Sequence, residues 1–345
     1  MASDVGRTAK NRLALVWQRG LPDHVQELAW TADGTHIVAA TIGGPIFAYD
    51  RAGTLHHELP GHGFGTLHIA AHPAKPLLAS GGQDGSVRVW DLETGGELWQ
   101  ADGGAAWVER LAWNLDGSIL ASAAGKNVRL WRAESGERLA EFGPHGGTVA
   151  DIAWKPKANE LAVAAYGGIA FYEPDRAEAI RHFEWKGSPL RLAWSPTGAM
   201  LAHGNQDASV HFWYADTGRE LHMSGYPKKV RELSWDFAGR VLATGGGEVP
   251  CLWDCSGAGP EGRTPKMLQG HAGSVTAVQW QRRGFLIATS DDAGRVCVWQ
   301  PANTRPLLGA ANFAEDEISC LAWSPDDSLL AVGSGKGAIA LFRVT

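Results

Sequence analysis

Residues 65–99 read GTLHIAAHPAKPLLASGGQDGSVRVWDLETGGELW, and this stretch decides the fold. It holds apolar runs at Leu67–Ala71, Leu77–Ser80 and Val87–Trp90, and a further run begins at Glu97. Segments rich in Gly, Pro and Asp separate the runs, which is typical of short strands joined by tight turns. The stretch therefore predicts one antiparallel sheet of four strands.

The aromatic residue that closes the third run recurs through the chain. It stands at Tyr49, Trp90, Trp131, Tyr172, Trp213, Trp253, Trp299 and Phe342, with steps of 41, 41, 41, 41, 40, 46 and 43 residues. A second position, 18 or 19 residues upstream, is tryptophan in seven of eight repeats: Trp30, Ala71, Trp113, Trp154, Trp194, Trp235, Trp280 and Trp323. Such a period indicates a β-propeller, because one sheet cannot bury both faces alone. The sequence predicts eight blades in an all-β ring.

The two ends of the chain are expected to share one blade. Leu13, Leu15 and Trp17 have the pattern of a fourth strand, whereas Ala338 to Val344 has the pattern of a third strand. Their pairing would close the ring and remove two open sheet edges. We therefore expect a flexible tail at residues 1–11 and a single propeller domain at residues 12–345.

Composition and motifs limit the classes of function. The net charge of −6 argues against general nucleic-acid binding, and no apolar run approaches the ~20 residues of a membrane span. A signal-peptide core is missing, and four cysteines do not form a disulfide framework. We expect a cytoplasmic, monomeric protein. Because no catalytic or dinucleotide motif occurs, we predict no enzyme activity, no catalytic residue and no cofactor.

The repeats resemble the WD40 family, whose pattern is a Gly-His pair, a turn Asp and a strand ending in Trp-Asp. The second repeat carries Gly61-His62, Asp84 and Trp90-Asp91, and the seventh carries Gly270-His271 and Trp299, with Asp292 as its displaced turn Asp. The third, sixth and eighth repeats lack both His and Asp. The resemblance implies that five residues support the blades structurally: His62, Asp84, Trp90, His271 and Trp299.

The resemblance also implies a partner-binding rim. WD40 proteins contact partners six and four residues before the first-strand aromatic and just before the turn Asp. The corresponding residues here are His24, Gln26, Leu67, Gln83, Trp107, Glu109, Gln206, Lys229, Arg231, Asp292 and Glu317. Trp107 lies outside the two packing positions, beside charges of both signs. We predict a non-catalytic scaffold that binds a protein or peptide.

A histidine-rich stretch supports an alternative hypothesis. His56, His57, His62, His68 and His72 fall within 17 residues, and imidazole is a common metal ligand. A zinc-binding or enzymatic propeller would use them. However, residues along strands are ~3.3 Å apart, which spreads these rings beyond a ~2 Å coordination radius. We therefore predict no metal ligand.

Overall fold

The computed structural model describes residues 11–257 and 259–345. In that part of the chain, 32 strands form eight antiparallel sheets of four strands. Strand β1 (Leu13–Gly20) is followed by four complete blades. These are blade 1, β2 Val25–Trp30, β3 His36–Thr41, β4 Ile46–Asp50 and β5 Leu55–Leu59; blade 2, β6 Thr66–Ala71, β7 Leu77–Gly82, β8 Ser86–Asp91 and β9 Glu97–Asp102; blade 3, β10 Val108–Trp113, β11 Ile119–Ala124, β12 Asn127–Arg132 and β13 Arg138–Phe142; and blade 4, β14 Asp151–Trp154, β15 Leu161–Ala165, β16 Gly167–Tyr172 and β17 Arg181–Trp185.

The second half of the chain continues the same order. Its sheets are blade 5, β18 Pro189–Trp194, β19 Met200–Asn205, β20 Val210–Tyr214 and β21 Glu220–Met223; blade 6, β22 Leu233–Trp235, β23 Val241–Thr244, β24 Cys251–Asp254 and β25 Lys266–Met267; blade 7, β26 Val275–Trp280, β27 Ile287–Asp291, β28 Arg295–Trp299 and β29 Leu307–Asn312; and blade 8, β30 Ile318–Trp323, β31 Leu329–Ser334, β32 Ala338–Val344 and β1. The predicted eight-bladed propeller is confirmed.

Strand β1 closes the ring, as expected, by pairing antiparallel with β32. Leu13 and Trp17 are buried, whereas Leu15 is 55% exposed. The register shifts between Leu15 and Trp17, so a bulge places Trp17 on the face toward blade 1, whereas Leu13 packs on the face toward blade 7. Of the predicted tail, only Asn11 lies within the described residues, and its side-chain amide donates to the Ala310 carbonyl oxygen at 2.9 Å.

Tryptophans of the first strands join neighbouring blades. Trp30 Nε1 donates to the Ala322 carbonyl at 3.1 Å and so connects blade 1 to blade 8. The same bond recurs between other neighbours: Trp113 to Ala70, Trp154 to Ala112, Trp194 to Ala153, Trp235 to Ala193 and Trp323 to Gln279. Because a buried indole N–H needs an acceptor, this repeated bond satisfies it and fixes the angle between sheets.

Hydrophobic clusters lie between blades rather than within one sheet. One cluster joins Val38 and Ile46 of blade 1 to Ile69, Leu78 and Trp90 of blade 2. Burial of apolar surface contributes ~25 cal/mol per Å², so each blade is stabilised mainly by its neighbours.

The turns divide into two faces. We define the upper rim as the connections from fourth to first strands and from second to third strands. The lower rim comprises the connections from first to second and from third to fourth strands. Antiparallel order places each pair of connections at the same end of a blade.

Candidate functional site

The predicted partner-binding residues all lie on upper-rim loops or at the adjoining ends of first strands. A central cavity of about 1260 Å³ opens between the eight first strands. Seven of the eleven residues line it: His24, Gln26, Leu67, Glu109, Lys229, Arg231 and Glu317. Gln83, Trp107, Gln206 and Asp292 are not part of this lining. The structure therefore brings one group together around the cavity and leaves four residues outside it.

A partial ring of polar side chains stands three residues before the first-strand aromatic position in blades 1–6: Glu27, His68, Arg110, Asp151, Arg191 and Glu232. Asp151 lies between two arginines, 3.3 Å from Arg110 Nε and 3.6 Å from Arg191 Nε. Asp151 Oδ2 also accepts the Leu192 N–H at 2.8 Å. The nearby Asp151 carboxylate raises the pKa of Arg191. The cavity wall at blades 3, 4 and 5 thus carries a fixed charge cluster with one more cation than anion.

Glu27 and His68 form a different kind of pair in the same ring. Glu27 Oε1 lies 3.5 Å from His68 Nε2, and Glu27 Oε2 accepts the Ile69 N–H at 2.8 Å. Burial raises the pKa of Glu27 to about 7. Burial also lowers the pKa of His68 well below its usual value. Both shifts favour the neutral forms, so this contact is not a stabilising ion pair.

Glu27→Gln should therefore stabilise the protein at alkaline pH. The folded-state pKa of Glu27 lies above its ordinary value of 4.5, so its favourable contribution is present below pH 4.5 and is lost as the pH rises through about 7. Glutamine keeps an acceptor for Ile69 N–H without the buried charge. We expect a gain of about 1–3 kcal/mol in unfolding free energy at pH 8, shrinking toward pH 5. Urea unfolding at several pH values measures it; a gain that does not depend on pH would contradict this assignment.

An exposed phenylalanine on the upper rim was missed by the sequence analysis. Phe64 is 87% exposed and has φ 68°, a left-handed conformation that is costly for a bulky residue. The loop around it is held rigidly. Gly63 N–H donates to Asp84 Oδ2 at 3.1 Å, and a Cβ at Gly65 would lie 2.5 Å from the Ile42 carbonyl oxygen. The fold thus maintains strain while presenting an aromatic ring to solvent.

Other apolar side chains extend this exposed surface along the upper rim. Ile42 lies in the turn against the Phe64 loop, Trp107 lies in the loop before blade 3, and Tyr166 lies in the second-to-third turn of blade 4. Trp107 is 54% exposed, which agrees with its predicted position outside the packing pattern. Blades 1–4 therefore carry an aromatic side of the upper rim, defined by Ile42, Phe64, Trp107 and Tyr166.

The upper rim of blades 6–8 is charged instead. Lys229, Arg231, Asp292 and Glu317 are all exposed. Within the described residues, neither Lys229 nor Arg231 has an ion-pair partner within 4.0 Å. Free cations beside a concave cavity are available to a carboxylate from another molecule.

A hydrogen-bond network in blade 2 supports the Phe64 loop. His62 Nδ1 lies 2.9 Å from Asp84 Oδ1, and His62 Nε2 lies 2.7 Å from Ser80 Oγ. Trp90 Nε1 donates to the same Ser80 hydroxyl at 2.8 Å. Burial alone would raise the pKa of Asp84, but hydrogen bonds from Ser86 and His62 outweigh it and lower that pKa to about 2. The network thus joins the core tryptophan to the rim loop.

Blade 7 contains the same network with its carboxylate at a different position. His271 Nδ1 lies 3.0 Å from Asp291 Oδ2, His271 Nε2 lies 2.6 Å from Thr289 Oγ1, and Trp299 Nε1 donates to that hydroxyl at 2.7 Å. The assignment of Asp292 as the displaced turn Asp was wrong. Asp292 is exposed and accepts the Ser274 N–H at 2.7 Å. Asp291 reaches the histidine from the end of β27, two residues earlier than the turn position that Asp84 occupies.

Asp291→Ala should therefore destabilise the protein strongly, and Asp292→Ala is its matched control. Asp291 is fully buried and also accepts the Arg295 N–H at 2.7 Å. Removing it leaves buried donors unpaired, which should cost about 2–4 kcal/mol of unfolding free energy. Asp292→Ala should cost less than about 1 kcal/mol, because its carboxylate is solvated. Chemical denaturation of both variants measures the difference; equal losses would refute the corrected assignment.

Blades without the His–Asp pair use substitutes that sequence spacing did not predict. In blade 6, Trp253 Nε1 donates to the Tyr226 hydroxyl at 2.9 Å, and that hydroxyl lies 3.0 Å from Thr244 Oγ1. Blade 8 uses Asp316, which accepts from Ser334 Oγ at 2.6 Å. In blade 4, the Tyr172 hydroxyl lies 3.0 Å from His145 Nε2. Other side chains therefore satisfy the buried polar groups of these degenerate repeats.

The histidine-rich stretch does not converge on one point. His62 belongs to the blade 2 network, His68 lies in the central cavity, and His72 Nδ1 accepts the N–H groups of Ala74 and Lys75. His56 lies on the outer strand β5, 3.5 Å from Asp50. Across residues 11–257 and 259–345, no three His, Cys, Asp or Glu side chains are placed to hold a metal ion. The same residues include no helix long and apolar enough to cross a membrane.

Comparison with known proteins agrees with this geometry. The family model "WD domain, G-beta repeat" matches residues 53–91, 99–132, 262–300 and 310–343. The chain therefore contains WD40 repeats and folds as a β-propeller. The matched segments include blades 2 and 7, where the His62 and His271 networks are complete.

Similar proteins include a WD repeat-containing protein and a protein named for the cell division cycle. WD repeat-containing protein srw1 of Schizosaccharomyces pombe is 29% identical over 150 residues, which is 42% of this chain and 25% of that protein. "Cell division cycle 20.1, cofactor of APC complex" of Arabidopsis thaliana is 26% identical over 171 residues, 47% of this chain and 36% of that protein. The match thus spans about a quarter to a third of these relatives.

The propeller also resembles a solved structure closely in shape. The crystal structure of the computationally designed Ika8 protein superposes with a TM-score of 0.82 at 20% identity. The alignment covers 96% of this chain and 98% of that chain. At this identity the likeness concerns the fold alone.

Proposed function

We propose that this WD40 propeller is a non-catalytic scaffold that binds a protein or peptide segment across its upper rim. The observation that carries the proposal is Phe64, a strained and almost fully exposed aromatic held in place by the His62–Asp84 network. Strain maintained by surrounding structure is a mark of functional surfaces. Exposed aromatics that lose water on binding typically dominate the energy of a protein interface.

The two sides of the upper rim suggest what the partner carries. An apolar side chain would cover Phe64 and Trp107, and acidic residues would approach Lys229 and Arg231 across the cavity. The cations would steer association and fix the orientation, whereas the aromatics would supply most of the affinity. The APC-cofactor name of one relative supports a protein-binding role of this general kind. The cytoplasmic location and the monomeric state stay predictions.

Selection from a phage-displayed random peptide library tests the proposal. Peptides enriched on the wild-type protein are measured on a variant with Phe64→Ala and Trp107→Ala, and on a control variant with Leu115→Ala. Leu115 is 66% exposed on the lower rim, so its loss removes exposed apolar surface from the opposite face. We expect a pool that binds the control but not the double variant. If every enriched peptide binds both variants equally, the proposal is wrong.

A further inference from the structure

A second exposed aromatic group lies on the lower rim, where blades 6 and 7 meet. Phe237 and Phe285 pack edge to face with ring centroids 5.0 Å apart, and they are 36% and 61% exposed. Each ring lies in the turn that follows the first strand of its blade. The contact joins two turns that are distant in sequence and creates one apolar surface from two blades.

Aspartate side chains hold both turns in fixed conformations. In blade 7, Asp327 of the neighbouring blade 8 accepts the N–H groups of Arg282, Arg283 and Gly284 at 2.7, 2.8 and 2.9 Å. In blade 6, buried Asp236 accepts the N–H groups of Arg240 and Val241 at 2.6 and 2.7 Å. A preorganised surface loses little entropy on binding, so these bonds favour recognition.

Arginines accompany the aromatic pair without acidic partners. Arg240, Arg282 and Arg283 are exposed, and within the described part of the chain none has an ion-pair partner within 4.0 Å. The nearby carboxylates are already engaged: Asp236 and Asp327 bind backbone N–H groups, and Asp326 pairs with Arg51 at 2.9 Å. The turns therefore carry three arginine cations against two carboxylates, Asp236 and Asp327, and the guanidinium groups are left without an ion-pair partner on a protein whose net charge is −6.

We infer that this lower-rim patch, formed by Phe237, Phe285, Arg240, Arg282 and Arg283, binds an acidic segment of a partner protein. Guanidinium groups bind carboxylates in a bidentate fashion, and a large apolar side chain of the segment covers the Phe237–Phe285 pair. A polyanion such as nucleic acid fits less well, because the basic group is small and the rest of the protein repels it. The inference does not depend on the proposed binding at the upper rim. If both hold, the propeller would bind partners on both faces.

A peptide selection aimed at this patch tests the inference. Random 12-residue peptides on phage are selected on the wild-type protein and then depleted on a variant carrying Phe285→Ala and Arg283→Glu. We expect the remaining peptides to combine several Asp or Glu residues with an aromatic or large aliphatic residue. Binding of a synthetic peptide from this pool should weaken at least about tenfold with either single substitution. It should be unchanged by Trp107→Ala, which separates this patch from the upper rim.

The same binding measurements can also contradict the inference. A depletion that leaves no peptide bound, or remaining peptides whose binding neither single substitution weakens, would overturn the inference. So would tighter, patch-dependent binding of a labelled single-stranded DNA oligonucleotide, which would assign the surface to nucleic acid. Unchanged melting temperatures of the single variants show that lost binding is not lost folding; should Phe285→Ala unfold, Arg283→Glu alone decides the question.

Discussion

Trp17→Ala should lower the free energy of unfolding by about 3–5 kcal/mol, as is usual for a buried tryptophan. Trp17 belongs to the strand that closes the ring, yet it also packs against Tyr49 of blade 1 at a centroid distance of 5.6 Å. Its indole N–H donates to the Arg51 carbonyl at 3.0 Å. One side chain therefore connects blade 8 to blade 1, and its removal weakens both closure and packing. Thermal and denaturant unfolding measure the loss.

Leu15→Ala is the matched control for closure. Leu15 lies on the same strand, only two positions away, but more than half of its side chain is exposed. We expect a loss within about 0.5 kcal/mol, as for most surface substitutions. Similar losses for Trp17→Ala and Leu15→Ala would show that β1 contributes through backbone pairing alone.

Trp107→Ala should weaken binding of an upper-rim peptide by about tenfold to thirtyfold, because a buried interface aromatic typically contributes ~2 kcal/mol or more. Its side chain is more than half exposed in the free protein, so thermal stability should change little. Fluorescence anisotropy with a labelled peptide from the selection gives both dissociation constants.

Trp99→Ala should have the opposite effects on thermal stability and on peptide binding. Trp99 lies in the outer strand of the preceding blade, packs against Trp131 and donates to the Ala133 carbonyl at 2.8 Å. Its loss should lower the melting temperature and leave peptide affinity unchanged. If Trp107→Ala instead lowers the melting temperature and leaves peptide affinity unchanged, Trp107 is a packing residue. The upper-rim proposal then no longer includes Trp107 as a binding residue.

The blades could be predicted from the sequence because their signals are local. Alternating apolar residues, turn residues and the two aromatic positions all act within about 40 residues, and each is repeated eight times. The closure by β1 could also be predicted, since the ends of the chain carry complementary parts of one repeat. The bulge between Leu15 and Trp17 could not, because it depends on how β1 meets β32.

The networks and the rim show where sequence reasoning fails. Asp291 was overlooked because the family spacing places the carboxylate in the turn between the second and third strands. In blade 7, a carboxylate at the end of strand β27 also reaches His271. Tyr226 and Asp316 replace residues of the family pattern with different chemistry. Phe64 did carry a signal, an aromatic between two glycines in a rim loop, but its exposure follows from backbone conformation rather than from periodicity.

Site-specific photo-crosslinking tests the central claim, a partner on the upper rim, most directly. The photoreactive amino acid p-benzoylphenylalanine is placed at position 64, 107 or 231, and at position 115 on the lower rim as reference. The full-length protein is irradiated in cells of its source organism. We expect crosslinked protein species from the three upper-rim positions and none from position 115. Crosslinking from position 115 with none from positions 64, 107 and 231 would contradict the proposed binding face.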